Sequence, residues 1–270
     1  MTPARQFGSL SKARGSQIAD LSTRAGRERH GLFLLEGPRA IEDALGRGAR
    51  LSYLVADPTG EEAVARWLAA GLVPESTALY RAETVDVERL ADTTTPQGIL
   101  AVGELPLEGL AALAEPGSVI LLVDGIQDPG NLGTLLRTLA AVGGKAAICC
   151  KGTVDPFNPK ALRGSAGAAL SLAVARGVER EAAAGWCAER GVAIIALAAG
   201  GSDLFAGRQP AGPLALAVGG EAAGLSPEIE RAAALVVGIP MEPTVESLSA
   251  AVAGSVALYA LAHDLVRGDG

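Results

Sequence analysis

At 270 residues and 27.2 kDa the chain is long enough for one large domain or two ordinary ones, each with a sizeable core. Charged residues make up 20% and hydrophobic residues 49%, which argues against a long disordered chain, and aromatics at 3% argue against recognition by rows of stacked bases. The net charge of −7 argues against a uniformly basic nucleic-acid binder, yet residues 1–50 carry nine Lys and Arg against five Asp and Glu, so a basic excess sits at the N-terminal stretch.

Residues 9–30 read as one polar amphipathic helix carrying Lys12, Arg14, Arg24, Arg27 and Arg29. Such an arm is either a phosphate-contacting surface or an ordinary solvated face, and charge alone favours neither. Leu32 to Leu35 follows as a short buried strand, then a helix from Arg39 to Leu45, a strand at Leu51–Val55, a helix from Glu61 to Ala70 and a strand at Ile99–Val102. This is an α/β unit over residues 1–104. The Pro- and Gly-rich stretch 105–117 reads as a linker.

From residue 118 to 270 the pattern changes to continuous apolar strands: Val119–Val123, Ala146–Cys150, Val192–Leu197, Leu214–Val218 and Leu235–Ile239. Helical patterns lie at Leu132–Val142, Ala161–Leu170, Arg180–Arg190, Pro227–Ala233 and Leu248–Leu265. Alternating strands and helices predict a parallel sheet covered on both faces. The most apolar stretch, Ser247–Ala262, contains three serines and is shorter than the ~20 residues of a membrane span, so it reads as a core helix. Leu248, Val252, Val256 and Tyr259 are its expected buried stripe. Three cysteines, Cys149, Cys150 and Cys187, and no apolar leader point to a cytoplasmic protein with free thiols. His30 and His263 are the sole histidines, and no metal site is expected. His263 reads as a residue at the end of the last helix.

Three strand-to-helix turns concentrate polar residues. The first, Asp124 to Gly133, has Asn131 as the expected N-cap of a helix that buries Leu132, Leu135, Leu136 and Leu139. Arg137 lies on the opposite face with Thr134, Thr138 and Ala141. The second, Gly219 to Pro227, packs three glycines around Glu221, which lets backbone approach a ligand closely. Its spacing matches neither the dinucleotide fingerprint nor the P-loop. The third, Gly238 to Ser249, ends on Ser247 as the expected cap of the last helix. All three turns belong to one edge of one parallel sheet, where open α/β sheets bind ligands.

Taken together, Val123-Asp124-Gly125, Asp128-Pro129-Gly130-Asn131-Leu132-Gly133 and Leu136-Arg137, then Gly219-Gly220-Glu221 with Gly224-Leu225, then Ile239-Pro240-Met241 with Ser247-Leu248, resemble the three motifs of the SpoU/TrmH family. These are RNA ribose 2′-O-methyltransferases of the SPOUT superfamily. The resemblance covers about residues 118–266. Leu32 to Gly37, Ala40 to Leu45 and Thr95 to Ala101 resemble the small RNA-binding domain that precedes this domain in many members.

The resemblance implies an α/β fold whose C-terminal domain carries a parallel sheet and a trefoil knot. It implies S-adenosylmethionine as cofactor, held by backbone at Gly219, Ile239 and Leu248 with the loop after Leu197. It implies a homodimer through the C-terminal domain, with RNA as the partner. Arg137 corresponds to the family's catalytic arginine, and Asn131, Glu221 and Ser247 to its polar site residues. Ser249 is counted with these catalytic candidates although it stands where an asparagine is common, and Pro243 stands where a glycine is. The RNA-contacting set expected ahead of the sheet is Lys12, Arg14, Arg27, Arg29, Glu36, Gly37 and Arg39. A free guanidinium stays protonated at any working pH. Arg137 therefore either takes the proton once a phosphate orients it, or grips that phosphate while Glu221 accepts the proton. The expected substrate is rRNA, with tRNA second, in a housekeeping or an antibiotic-resistance role. An RNA-binding protein with a vestigial donor pocket is the alternative from another class.

Overall fold

A computed structural model describes residues 5–106, 109–113, 117–206, 210, 212–221, 223–242 and 244–262. Pro243, His263 and the expected helix end at Leu265 lie outside the described residues. The chain forms two compact units, Met1–Leu105 with Phe157–Ser171, and Pro106–Pro156 with Leu172–Gly270.

The first unit runs β1 (Gly8–Ser9), α1 (Lys12–Asp20), α2 (Arg24–His30), β2 (Leu32–Glu36), α3 (Pro38–Gly46), β3 (Leu51–Ala56), α4 (Pro58–Ala69), β4 (Ala78–Arg81), α5 (Thr84–Leu90) and β5 (Ile99–Glu104). Its mixed sheet has the order β1-β4-β3-β5-β2. Ile18, Leu21, Leu34, Val55, Leu100 and Val102 are among its core residues. The short elements β1, β4 and α5 are additions to the sequence reading.

The expected single helix over 9–30 is two helices. Thr23 caps the second by accepting the Gly26 N–H at 3.0 Å. Gly26 sits so close to the end of α1 that a Cβ there would lie 1.9 Å from the Asp20 carbonyl oxygen. Arg27 ties the corner, donating to the carbonyls of Leu21 at 2.8 Å and Ser22 at 3.1 Å. Arg27 is 1% exposed, so it is a structural residue and its expected RNA contact is corrected. Glu36 is corrected for the same reason. It is 4% exposed and accepts from the Asp92 backbone N–H at 2.9 Å, from the Thr93 hydroxyl, and faces Arg163 at 3.6 Å.

Arg163 belongs to α7 (Pro159–Gly164), which packs against β2 in this first unit. The Phe157 ring beside it tilts onto Phe33, centroids 6.2 Å apart. The helix expected over 161–170 ends early, because Ala166 takes the left-handed conformation (φ +48) and a 3₁₀ turn, Ala168–Ser171, follows.

The second unit contains β6 (Val119–Asp124), α6 (Pro129–Ala141), β7 (Ala146–Cys150), β8 (Ala173–Val178), α8 (Arg180–Glu189), β9 (Ala193–Asp203), β10 (Leu214–Gly219), α9 (Pro227–Ala232), β11 (Leu235–Gly238) and α10 (Ala250–Leu261). Every pairing is parallel, in the order β11-β9-β10-β6-β7-β8. The expected parallel sheet is therefore present, with β8 added. Ile120, Leu122, Ala215 and Ala217 face α8 and α9 through Trp186, Cys187 and Ile229. The alternate residues of β10 face the other way, where Val218 and Leu135 of α6 approach Gly254 of α10.

The stripe expected to bury α10 is reversed. Ala251, Gly254, Leu258 and Leu261 face inward, while Val252 is 49%, Tyr259 50% and Leu248 36% exposed. The inner face carries Gly254 where α10 comes closest to α6 and β10, with Ala251 and Ala257 near it and Leu258 and Leu261 also buried.

Candidate active site

The strand order reverses direction between β6 and β10, which makes their carboxyl ends a topological switch point. Their last residues, Asp124 and Gly219, are register partners. The turns leaving these two ends, with the segment after β11, form the site.

Asp128, and not Asn131, caps α6: its Oδ1 accepts the Asn131 backbone N–H at 2.8 Å, and Pro129 fills the first helical position. This frees the Asn131 side chain, whose Nδ2 donates to Glu221 Oε1 at 2.8 Å. Glu221 sits on a turn closed by the Gly224 N–H bonding the Gly220 carbonyl at 2.8 Å. The turn folds back so tightly on β10 that a Cβ at Gly219 would lie 2.2 Å from the Gly224 carbonyl carbon.

The third turn departs from the expected capping. Ser249, and not Ser247, is the N-cap of α10, its Oγ accepting the Val252 N–H at 3.3 Å. Ser247 is exposed. On the far side, consecutive residues Val236 and Val237 pair with Ala196 and Ser202, so residues 197–201 bow out of that ladder.

These segments enclose a cavity of about 470 Å³. Its lining includes Leu197, Gly219, Ile239 and Leu248, the four residues expected to hold the cofactor, together with Glu221, Ser247 and Ser249. Asn131 reaches it through Glu221. Arg137 is not part of the lining. It is exposed on α6, with no hydrogen bond or ion pair among the described residues. Met241, Glu230 and Glu246 also line the cavity and were not anticipated. Glu230 lies four residues after Ser226, one helical turn into α9; Glu246 directly precedes Ser247. Their proximity depends on where β11 and the turn after it are laid, which spacing does not reveal.

The volume suits a nucleoside-sized ligand. Backbone at 197–199 and 219–220 and the side chains of Leu225, Ile239 and Met241 offer apolar and hydrogen-bonding surface. Glu221, Glu230 and Glu246 make the cavity acidic, and among the described residues no Lys or Arg lines it. That set fits a cationic donor such as a sulfonium nucleoside.

Among the described residues no group of three or more His, Cys, Asp or Glu is placed to hold a metal ion. The three thiols are buried and lie outside the cavity lining. Burial pushes them up, Cys150 to about 12 with Asp124 adding, Cys187 to about 11, and Cys149 further still. Of the basic residues, Lys12, Arg14, Arg29 and Arg39 are exposed. Arg14 stacks over Tyr80 at 4.3 Å and Arg29 pairs with Asp20 at 3.2 Å. Gly37 is the N-cap of α3, with φ +89.

Residues 118–259 match the model of the SpoU rRNA Methylase family. The chain belongs to the SpoU rRNA methylase family. Residues 16–101 match the MRM3-like substrate binding domain. The SpoU-type chain is 31% identical to the 23S rRNA (guanosine(2553)-2′-O)-methyltransferase RlmP of Bacillus subtilis, over 93% of this chain and 98% of that protein. It is similar to the SpoU methyltransferase AviRb of Streptomyces viridochromogenes in complex with AdoMet (TM-score 0.83, 27% identity, covering 96% of this chain and 100% of the other). An AdoMet-bound rRNA methyltransferase from Sinorhizobium meliloti gives a TM-score of 0.79 at 27% identity, covering 94% and 96%.

Proposed function

We propose that this chain transfers the methyl group of S-adenosylmethionine to a ribose 2′-hydroxyl of structured RNA, with rRNA as the substrate pool. The observation that carries this reading is the single cavity at the switch point into which Leu197, Gly219, Glu221, Ile239, Ser247 and Leu248 converge. The rRNA methyltransferases among its relatives support the substrate pool.

S-adenosylmethionine supplies an electrophilic methyl group when bound. Backbone at Gly219, Ile239 and Leu248 holds it, and the loop after Leu197 closes the adjoining wall. The attacking hydroxyl must lose a proton as its oxygen approaches the methyl group. Glu221 is the acceptor, its carboxylate aimed by Asn131. Arg137 grips an RNA phosphate bidentately and sets the hydroxyl in line. Ser249 is engaged as a cap, so Ser247 is the motif serine left to contact substrate.

The first unit, residues 1–104 joined by Phe157–Ser171 and with 105–117 as linker, captures RNA through the exposed Lys12, Arg14, Arg29 and Arg39 and through the Gly37 turn. The rest of 118–270, outside Phe157–Ser171, performs the transfer. The trefoil knot belongs to this reading: after β11 the chain crosses the cavity and returns as α10 on α6 and β10. No helix among the described residues is long and apolar enough to cross a membrane, and a cytoplasmic setting accords with access to rRNA.

A second copy completes the site. Arg137 stands outside its own chain's cavity, and Val252 and Tyr259 on α10, with Leu248 just ahead of it, present exposed apolar side chains that a partner would cover. Purified protein incubated with tritiated S-adenosylmethionine should label unmodified rRNA and not tRNA. The label should survive alkaline cleavage as a 2′-O-methyl dinucleotide and fall sharply with Arg137→Ala. Mixing Arg137→Ala and Glu221→Gln chains, each strongly impaired with measurable residual activity, should restore part of the activity. Donor binding without transfer to either RNA pool or to ribosomal particles would favour the vestigial-pocket reading.

A further inference from the structure

We infer that Asp124 and Arg180 form a positioning pair that holds Glu221 in place for the reaction; this rests on the methyl-transfer reading above. Asp124 ends β6 with its side chain buried at 1% exposure. Its Oδ1 accepts from Arg180 Nε at 2.8 Å and its Oδ2 from the Ser226 backbone N–H at 2.8 Å. Its own carbonyl accepts the Gly220 N–H at 3.0 Å. Gly220 and Ser226 are the two feet of the turn that carries Glu221. One buried residue therefore grips both feet, from the strand that also leads into the turn bearing Asn131.

Arg180 makes that grip sustainable. A carboxylate this deeply buried is costly unless a cation meets it. Arg180 opens α8, where the helix dipole disfavours positive charge. Helix formation therefore gives no reason for an arginine at this position, whereas Asp124 does. The guanidinium remains 31% exposed, so the pair joins solvent to a buried anchor rather than closing off a core. Neither residue lines the cavity. Their effect on the reaction runs through Glu221.

The test is a double-mutant cycle with two independent readouts. Asp124→Asn and Arg180→Ala should each lower kcat for RNA methylation at least tenfold, with the donor dissociation constant by calorimetry within threefold. In the Glu221→Gln background the same changes should alter kcat by less than twofold, and Arg180→Lys should recover part of the loss. Amide exchange should rise in Asp124→Asn at 219–226 and stay unchanged in α6. Losses that multiply in both backgrounds, or donor affinity falling in step with kcat, would make the pair merely structural. Unchanged exchange at 219–226 would overturn the grip itself, a result that can be read even if the wild-type protein methylates no RNA.

Discussion

Replacing Gly219 with alanine tests whether the turn at the end of β10 forms the cavity wall. An ideal Cβ at this position lies 2.2 Å from the carbonyl carbon of Gly224, 2.3 Å from its oxygen and 2.5 Å from the Leu225 nitrogen. Nonbonded carbons rest at about 3.5–4.0 Å, so the two backbone segments must part by more than about 1 Å. All three obstacles are backbone, and no rotamer change relieves them. Overpacking of this kind costs about 1–3 kcal/mol. Parting the segments also weakens the Gly224-to-Gly220 hydrogen bond, a further ~0.5–1.5 kcal/mol. The total, about 1.5–4.5 kcal/mol, is below the ~5–15 kcal/mol stability of ordinary domains, so the variant should fold. Because Gly219, Gly220 and Glu221 all line the cavity, donor affinity by calorimetry should fall at least tenfold. Gly185→Ala is the matched control. Gly185 lies within α8, and a Cβ there meets nothing within 4 Å. It should raise stability by up to about 1 kcal/mol and leave donor binding alone. A Gly219→Ala protein with an unshifted denaturation midpoint and donor affinity within twofold of wild type would refute the reasoning.

Arg27→Ala should lower stability by about 2–4 kcal/mol, since it strips the carbonyls of Leu21 and Ser22 of a buried donor. Arg39→Ala should leave stability unchanged and reduce the salt dependence of RNA binding by about one counterion. Melting curves and a salt titration of RNA affinity separate the two; a lowered salt slope for Arg27→Ala at full stability would contradict its structural assignment. The thiols predict alkaline behaviour. An unfolded thiol titrates near 8.5, whereas burial holds Cys187 to about 11 and Cys150 to about 12. The unfolded chain therefore releases protons that the folded chain keeps. Their stabilising contribution is full below about pH 8.5 and is lost as pH rises through the folded values. The melting temperature should decline between pH 9 and 11, and a thiol reagent at pH 8 should label the three cysteines only in denaturant. Rapid labelling of native protein would count against the buried placement.

Much of the site was legible in the chain because it depends on local chemistry. Continuous apolar strands required a sheet covered on both faces, and glycine-rich turns after β10 required close backbone approach. The residues matched to the family's donor contacts, Leu197, Gly219, Ile239 and Leu248, do line one cavity. Capping was less legible. Asp128 and Ser249 both took N-cap positions that spacing assigned to Asn131 and Ser247, because several polar residues near a helix start compete for the same backbone donors.

What the sequence by itself determined was the alternation of elements, the chemistry-bearing turns and their common sheet edge. Tertiary structure alone decided which side of an apolar helix is buried. α10 is apolar all round, so its pattern carries no direction; the close approach of α6 and β10 selected the face that carries the small residues Ala251, Gly254 and Ala257. It likewise turned Arg27 and Glu36 inward, since a charged side chain is buried wherever the fold supplies enough partners for its polar atoms. It drew Phe157–Ser171 into the first unit, out of its place in chain order. And it joined Asp124, Arg180 and Ser226, whose hydrogen bonds span 56 and 102 residues of sequence, a pairing set by strand order and not by any local pattern.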